Sequence, residues 1–386
     1  MMHPRTSGLG RIIDAVVDAS LLLVAGAVAG LVWANLAPVM YARMAHGLHF
    51  AVNDIGMVFF FAIAAKEVVE ATLPGGPLGS PRRAIVPLVA AVGGMAAPAL
   101  MYVGLALRLG EPQLVRGWAI PCATDIAFSY LVARFIFGAR HPAIPFLLLL
   151  AIADDALGLL ILAIFYPIGN VRLVEFTAIL AVAVAIAWAL RRTGVMSFWP
   201  YVLASGGIAW VAFLRGSLHP ALALVPIIPF IPHGVRAEPA LGLGPEHEPR
   251  STDPLSRFEQ RSRVPVQVML FFFGLVNAGV PLTSVGPGTW IVLSALVAGK
   301  PLGILLFTAG ATWIGLRRPA GVSWRDMTVV GIAAGIGFTV SLFFATAAFE
   351  GGRWLDETKM GALLSFGAAG LAPLVARVLR TGRFER

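Results

Sequence analysis

Hydrophobic positions run in long stretches, without the two-residue alternation of a half-buried strand or the regular polar face of a surface helix. A hydrocarbon core about 30 Å thick is crossed by about 20 apolar residues in helical form. The pattern predicts about twelve such segments, at 12–35, 51–72, 84–107, 117–137, 143–168, 173–190, 197–215, 218–232, 264–280, 289–310, 327–349 and 360–380. The eighth is short. The first carries Arg5 and Arg11 on its flank, is too long for a signal-peptide core and meets no convincing cleavage site, so it reads as a retained helix. The one long connection, 233–263, is rich in Pro, Gly, Glu and Arg with no apolar period, and is expected to be a flexible cytoplasmic loop. The other segments follow one another closely. The expected fold is therefore all-α and polytopic, one membrane domain over 1–386 without a soluble appendage.

Composition agrees: 58% of the 386 residues are hydrophobic and 13% charged, which excludes a water-soluble core-and-shell protein. The net charge of +9 would suggest nucleic acid in a soluble chain, but here long apolar runs separate the basic residues and no aromatic-basic stripe forms. Counting Lys and Arg in alternate connections places 20 on the side of the N-terminus and 7 on the other. Because cytoplasmic loops carry the excess, both termini are expected in the cytoplasm, and the positive charge is mostly topology. The single cysteine, Cys122, excludes an intrachain disulfide and a cysteine-based zinc site, and no cofactor is expected.

Ionisable residues inside apolar runs each cost about 2.5–3.5 kcal/mol at a helix centre, so they mark where chemistry belongs. Six stand out: Lys66 with Glu67, Asp125, Asp154 with Asp155, and Lys300. Asp154 and Asp155 lie deep in LLLLAIADDALGLLILAIFY (147–166). Adjacent helix positions differ by about 100°, so the carboxylates do not stack, yet both are able to border one cavity. A bound cation favours their joint ionisation, and a proton competes with it. Lys300, between Gly299 and Pro301, could be a carboxylate partner, a proton carrier or a structural counter-ion. Two interruptions accompany these charges: Pro121 with Thr124 and Asp125 in GWAIPCATDIAFSY (117–130), and Gly335 and Gly337 with Thr339 in GIAAGIGFTVSLFF (331–344). One in each half of the chain, they suggest an inverted repeat with an ion site at its crossing. Half-helix ends carry partial charges that Asp125 and Lys300 have the right signs to balance. Packing kinks are the plainer alternative.

The strings AIPCATDIAF (119–128), LLLLAIADDALGLLILAIFY (147–166), GSLHPALALVPIIPFIPH (216–233), FFFGLVNAGVPL (271–282), AGKPLGI (298–304) and GIGFTVSLF (335–343) resemble, in order, the NhaA family of sodium/proton antiporters. That family is itself a type example of the inverted-repeat transporters. The resemblance implies twelve transmembrane helices with two crossed discontinuous helices. It implies Asp154 and Asp155 as the aspartates exchanging Na⁺ or Li⁺ for protons, Thr124 and Asp125 as the polar break of the fourth helix, and Lys300 as the tenth-helix lysine that pairs with an aspartate. It also implies electrogenic exchange across the bacterial inner membrane, with pH homeostasis as its use.

Two departures qualify it. Where the family reads GLEVKRE this chain reads AAKEVVEA (64–71); Glu67 matches the first Glu, but Val69, Glu70 and Ala71 stand at the Lys-Arg-Glu positions. A pH response through Glu67 and Lys66 is thereby put in question. The connection LAPVMYARMAHGLHF (36–50) is too short for the β-hairpin through which the family dimerises, leaving monomer or homodimer open. Outside antiport, the sequence admits a sodium-coupled organic-anion symporter of the same fold and a transport-dead homologue. It also admits an intramembrane aspartyl protease pairing Asp125 with Asp155.

Overall fold

The computed structural model describes residues 21–73, 76, 78, 79, 81–234 and 253–385, without the side chains of 81–83. Arg5, Arg11 and residues 12–20 of the first predicted helix, as well as 235–252, lie outside the described residues. The described chain is helical, with no strand in it. We label its helices α1 (Leu21–Leu36), α2 (Pro38–Thr72), α3 (Pro81–Arg108), α4 (Ile126–Phe137), α5 (Ala143–Phe165), α6 (Leu173–Arg192) and α7 (Tyr201–Arg215). There follow α8 (Pro254–Asn277), α9 (Pro287–Trp313), α10 (Trp324–Ala334), α11 (Phe338–Ala348), α12 (Arg353–Leu364) and α13 (Ala368–Leu379). Among the described residues six helical spans are long and apolar enough to cross a bilayer, namely α2, α3, α5, α6, α9 and the continuous stretch of α12 with α13, and α10 with α11, bent by 49°, makes a seventh. Large apolar side chains point outward, Val174 and Trp313 among them, as a lipid-facing surface requires.

Four segments differ from the sequence pattern. Residues 38–49 are not a loop: they extend α2 by three turns, led by Pro38 in the first turn, where its missing N–H costs nothing. The supposed flexible connection is helical from Pro254 onward, because Asp253 accepts from the Ser256 N–H at 2.8 Å and caps α8 ten residues before its expected start. The fourth run begins as a 3₁₀ turn at Pro112–Gly117, leaves helix before Asp125, and is α-helical only in α4. The eighth run, 218–232, holds two 3₁₀ turns, Pro220–Leu222 and Ile228–Phe230. Pro220, Pro226, Pro229 and Pro232 each remove a donor and clash with the preceding turn, so an α-helix does not form. Its backbone is tolerated at this depth because protein encloses it: Ala221, Leu222, Ala223, Ile227, Ile228 and Ile231 are buried.

Small residues bring the helix carrying Lys300 into place. A Cβ on Gly303 of α9 would lie 2.0 Å from the Gly93 carbonyl oxygen of α3, and one on Gly93 2.4 Å from that of Gly303. Backbone meets backbone there, as small residues allow inside membranes. A π turn at Ala295–Gly299 then rotates α9 just before Lys300. Gly303→Val is accordingly expected to lose several kcal/mol of stability through overpacking against an immovable backbone, more than the ~1–3 kcal/mol typical of cores. Thermal unfolding of the detergent-solubilised protein measures this; an unchanged midpoint would show that α3 and α9 separate freely.

Candidate functional site

The two interruptions meet. The Asp125 N–H donates to the Ile336 carbonyl at 2.7 Å, the Ser129 hydroxyl to Ala333 at 2.8 Å, and the Ser341 hydroxyl to Ile120 at 2.7 Å. The Gly337 N–H donates to the Ser365 hydroxyl at 3.3 Å. Groups freed by breaking each helix are thus satisfied by the other or, for Gly337, by Ser365 between α12 and α13, which lets interrupted backbone persist at mid-membrane. Gly335 and Gly337 serve close approach rather than an unusual φ: a Cβ on Gly335 would sit 2.6 Å from the Leu296 carbonyl oxygen, inside the π turn of α9. Pro121 lies in the non-helical stretch, next to the Ile120 carbonyl that Ser341 holds.

Charge follows the ends of the half-helices. Asp125 is the N-cap of α4, accepting from the Phe128 N–H at 3.4 Å, and it also accepts from the Thr339 N–H at 3.3 Å and from the Thr339 hydroxyl. One carboxylate therefore faces the positive N-terminal ends of both α4 and α11. Lys300 donates to the Cys122 carbonyl at 2.5 Å, on the other side of the break, and pairs with Asp154 at 2.9 Å. Both Lys300 and Asp154 are 0% exposed.

The neighbouring aspartates have different surroundings. Asp154 Oδ2 takes the Lys300 ammonium and the Thr124 hydroxyl, the latter at 2.7 Å. The single Thr124 proton has a second acceptor in the Ala334 carbonyl at 3.1 Å. Asp154 Oδ1 is buried with no hydrogen-bond partner among the described residues. Asp154 lines a chamber of about 10 Å³, together with Asp155, Phe61, Ala123 and Phe344, which is space for about one water-sized particle. Asp155 is partly buried, accepts no hydrogen bond among the described residues, and faces both this chamber and a larger cavity of about 280 Å³. Glu67, Thr124, Asp125, Gln267 and Thr339 line that cavity too. Asp155 is thus an unengaged carboxylate where the wide cavity meets the narrow chamber.

Lys66 and Glu67, adjacent in sequence, diverge. Glu67 faces the cavity, while Lys66 pairs with Glu70 at 2.8 Å and Glu259 at 2.6 Å. Sequence reasoning missed both partners. Glu70 carried a usable signal, its i,i+4 spacing from Lys66. Glu259 carried none, since it falls within the stretch taken for a loop. Asp125 and Asp155 border the same cavity but share no hydrogen bond, the contact an aspartyl protease pair requires.

A helical membrane protein with a buried carboxylate–lysine centre at the crossing of two broken helices has the build of a secondary transporter. The family described as Na+/H+ antiporter 1 matches residues 11–376. The chain belongs to that family, whose members are transporters rather than enzymes. A relative from Geobacter metallireducens, named Na(+)/H(+) antiporter NhaA, is 46% identical over 372 residues, covering 94% of this chain and 97% of its own. Another of the same name from Desulfitobacterium hafniense is 45% identical over 368 residues, 93% of this chain and 94% of its own. Among solved structures, the sodium proton antiporter MjNhaP1 from Methanocaldococcus jannaschii matches with a TM-score of 0.54 over 96% of each chain, at 15% identity, a likeness of fold alone.

Proposed function

We propose that this protein exchanges Na⁺, or Li⁺, for protons across the bacterial inner membrane by alternating access, with Asp154 and Asp155 as the shared cation and proton site. The observation that carries this reading is the unengaged Asp155 carboxylate, which lines one chamber with Asp154, whose Oδ1 has no hydrogen-bond partner among the described residues, and also lines the larger cavity. Homologues of the antiporter name at about 45% identity over nearly the whole chain support it. A cation entering the chamber draws both carboxylates into ionisation and weakens the hold of Asp154 on Lys300. Protonation of the carboxylates expels the cation, so the two ligands exclude one another. Release of Lys300 to give up its own proton makes the cycle move more protons than cations, hence net charge. Thr124, Asp125 and Thr339 hold the broken backbone around the site; Glu67 lines the approach. The chain acts as one membrane domain with both termini in the cytoplasm, as monomer or homodimer.

Proteoliposomes with an imposed pH gradient test the proposal. Added Na⁺ or Li⁺ should dissipate the gradient, whereas failure of both ions would remove the antiporter reading. The pH dependence should be that of direct competition. Apparent sodium affinity is expected to weaken by up to about tenfold per pH unit for each competing proton, with saturating Na⁺ restoring the acidic limb. A loss of rate at low pH that saturating Na⁺ does not rescue would instead reveal a separate regulatory switch, with the Lys66–Glu70–Glu259 cluster as its first candidate.

A further inference from the structure

A third helical span takes part in the crossing of the two broken ones. The stretch Arg353–Phe384 is long and apolar enough to cross the bilayer, yet it is not α-helical throughout: a 3₁₀ turn at Ser365–Gly367 separates α12 from α13 near its middle. A 3₁₀ turn inside a helix often marks a functional joint or local strain. The Ser365 hydroxyl donates back to the Ala362 carbonyl at 2.6 Å, the kind of bond that bends a helix. The same oxygen accepts the N–H of Gly337, the N-cap of α11, at 3.3 Å. Ser365 is 0% exposed, so bulk water does not replace either bond.

The next residue, Phe366, reaches both half-helices. Its ring meets Phe128 of α4 edge-on with centroids 5.1 Å apart, and Phe338 of α11 at 5.7 Å. Phe128 and Phe338 meet each other edge-on at 5.9 Å. Each ring therefore touches the other two, and the three elements are joined at one point. Such contacts fix orientation as well as distance, because the ring quadrupoles favour edge-to-face over stacked geometry.

The residues gripped in this way are those that supply the donors to Asp125. Phe128 gives its own N–H, at 3.4 Å. Thr339, next to Phe338 and two residues after Gly337, gives its N–H at 3.3 Å and its hydroxyl. Both backbone contacts are at the long end for hydrogen bonds, so a small shift at the start of α4 or α11 loses them. Asp125 in turn lines the wide cavity with Asp155, whereas neither Ser365 nor Phe366 lines that cavity or the chamber. Any influence they have on a cation is exerted through Asp125.

We propose that Ser365 and Phe366 are positioning residues for the cation site: from the α12–α13 junction they fix the starts of α4 and α11, and so keep the Asp125 carboxylate bonded at the wall of the cavity it shares with Asp155. An ionised Asp125 held by those donors adds negative charge along the approach to Asp155, which raises the local concentration of a cation. Without the Ser365 hydroxyl the buried Gly337 N–H has no acceptor, and the start of α11 shifts away from Asp125 to find one. This rests on the exchanger reading of the central site, and deepens it by naming residues outside the cavity that set its affinity for the cation.

The test uses the full chain in proteoliposomes, with ²²Na⁺ exchange followed as a function of Na⁺ and thermal unfolding and infrared spectra recorded on the same preparations. Ser365→Ala and Phe366→Leu should each raise half-saturating Na⁺ by about tenfold, the effect of one weakened hydrogen bond to a charged group. The rate at saturating Na⁺ should change by less than about twofold, as when binding alone is impaired. The infrared carboxylate band that Asp125→Asn removes should shift in both variants. A lowered unfolding midpoint with that band unmoved would make the junction merely structural and overturn the proposal. So would an unchanged demand for Na⁺, or a fall in the saturating rate alone. If Ser365→Ala does not fold, Phe366→Leu is read in its place, and failure of both to fold also overturns it. Absence of exchange in the unmodified protein would sink the exchanger reading and this one with it, whereas exchange with both variants unaltered sinks the positioning role alone.

Discussion

Asp155→Asn is expected to abolish sodium-driven proton movement, by about 100-fold or more, while leaving the protein as stable as before. The amide is nearly isosteric, but it neither ionises nor offers a charged ligand, and a 100-fold loss corresponds to only about 2.7 kcal/mol of cation stabilisation. Stability should hold because Asp155 engages no protein donor whose partner would be lost. Asp154→Asn should be as inactive for a different reason. It strips Lys300 of its carboxylate and leaves a fully buried ammonium with the Cys122 carbonyl as its remaining acceptor. Breaking a buried pair in this way costs about 3–5 kcal/mol. Gradient dissipation in proteoliposomes, read beside thermal unfolding, separates the two variants. Near-normal exchange in both would remove the paired carboxylates from the mechanism.

Lys300→Gln should lower stability and, in the fraction that folds, leave cation exchange that no longer responds to an imposed membrane potential. Glutamine keeps length and hydrogen bonding but carries neither charge nor titratable proton, so a lysine that moves a proton in each cycle is silenced. Asp154 is then left with the Thr124 hydroxyl, and is expected to hold a proton in place of its lost counter-charge. Lys300→Gln/Asp154→Asn should recover most of the stability, because neither charge remains buried alone, and should not recover transport. A coupling energy of about 0.5–3 kcal/mol between the two sites is expected from such direct contact. Sodium efflux at clamped and unclamped potential decides the role. A destabilised variant whose folded fraction stays potential-sensitive would make Lys300 a structural counter-ion. Unchanged transport, potential response and stability would eliminate both roles.

Much of this protein is legible in one dimension because a bilayer imposes one-dimensional rules. The length of each apolar run, the cost of ionisable residues at Asp125, Asp154, Asp155 and Lys300, and the breaks near Pro121 and Gly335–Gly337 are local properties of the chain. So was the wish of Asp125 and Lys300 for ends of opposite sign. Hydropathy alone misjudged the ends of α2 and α8, whose polar turns read as loop yet continue a helix once Pro38 and Asp253 start it. It also read an α-helix through the four prolines of 218–232, where apolar content outvoted backbone chemistry.

The tertiary structure decided which partners those residues have. Sequence allowed Lys300 either aspartate. The contact at Gly93 and Gly303 and the π turn before Lys300 bring its ammonium to Asp154 and leave Asp155 free. Likewise Asp125 was one polar residue at a break until the crossing put it at the N-termini of α4 and α11 together, and Lys66 turned from its neighbour Glu67 to Glu70 and the distant Glu259. The physical reason is range. Helix formation and membrane insertion depend on residues within a turn or a span of one another, so sequence determined where charge must lie in the membrane. Ion pairing depends on separations of a few ångströms between helices far apart in the chain, and only packing sets those.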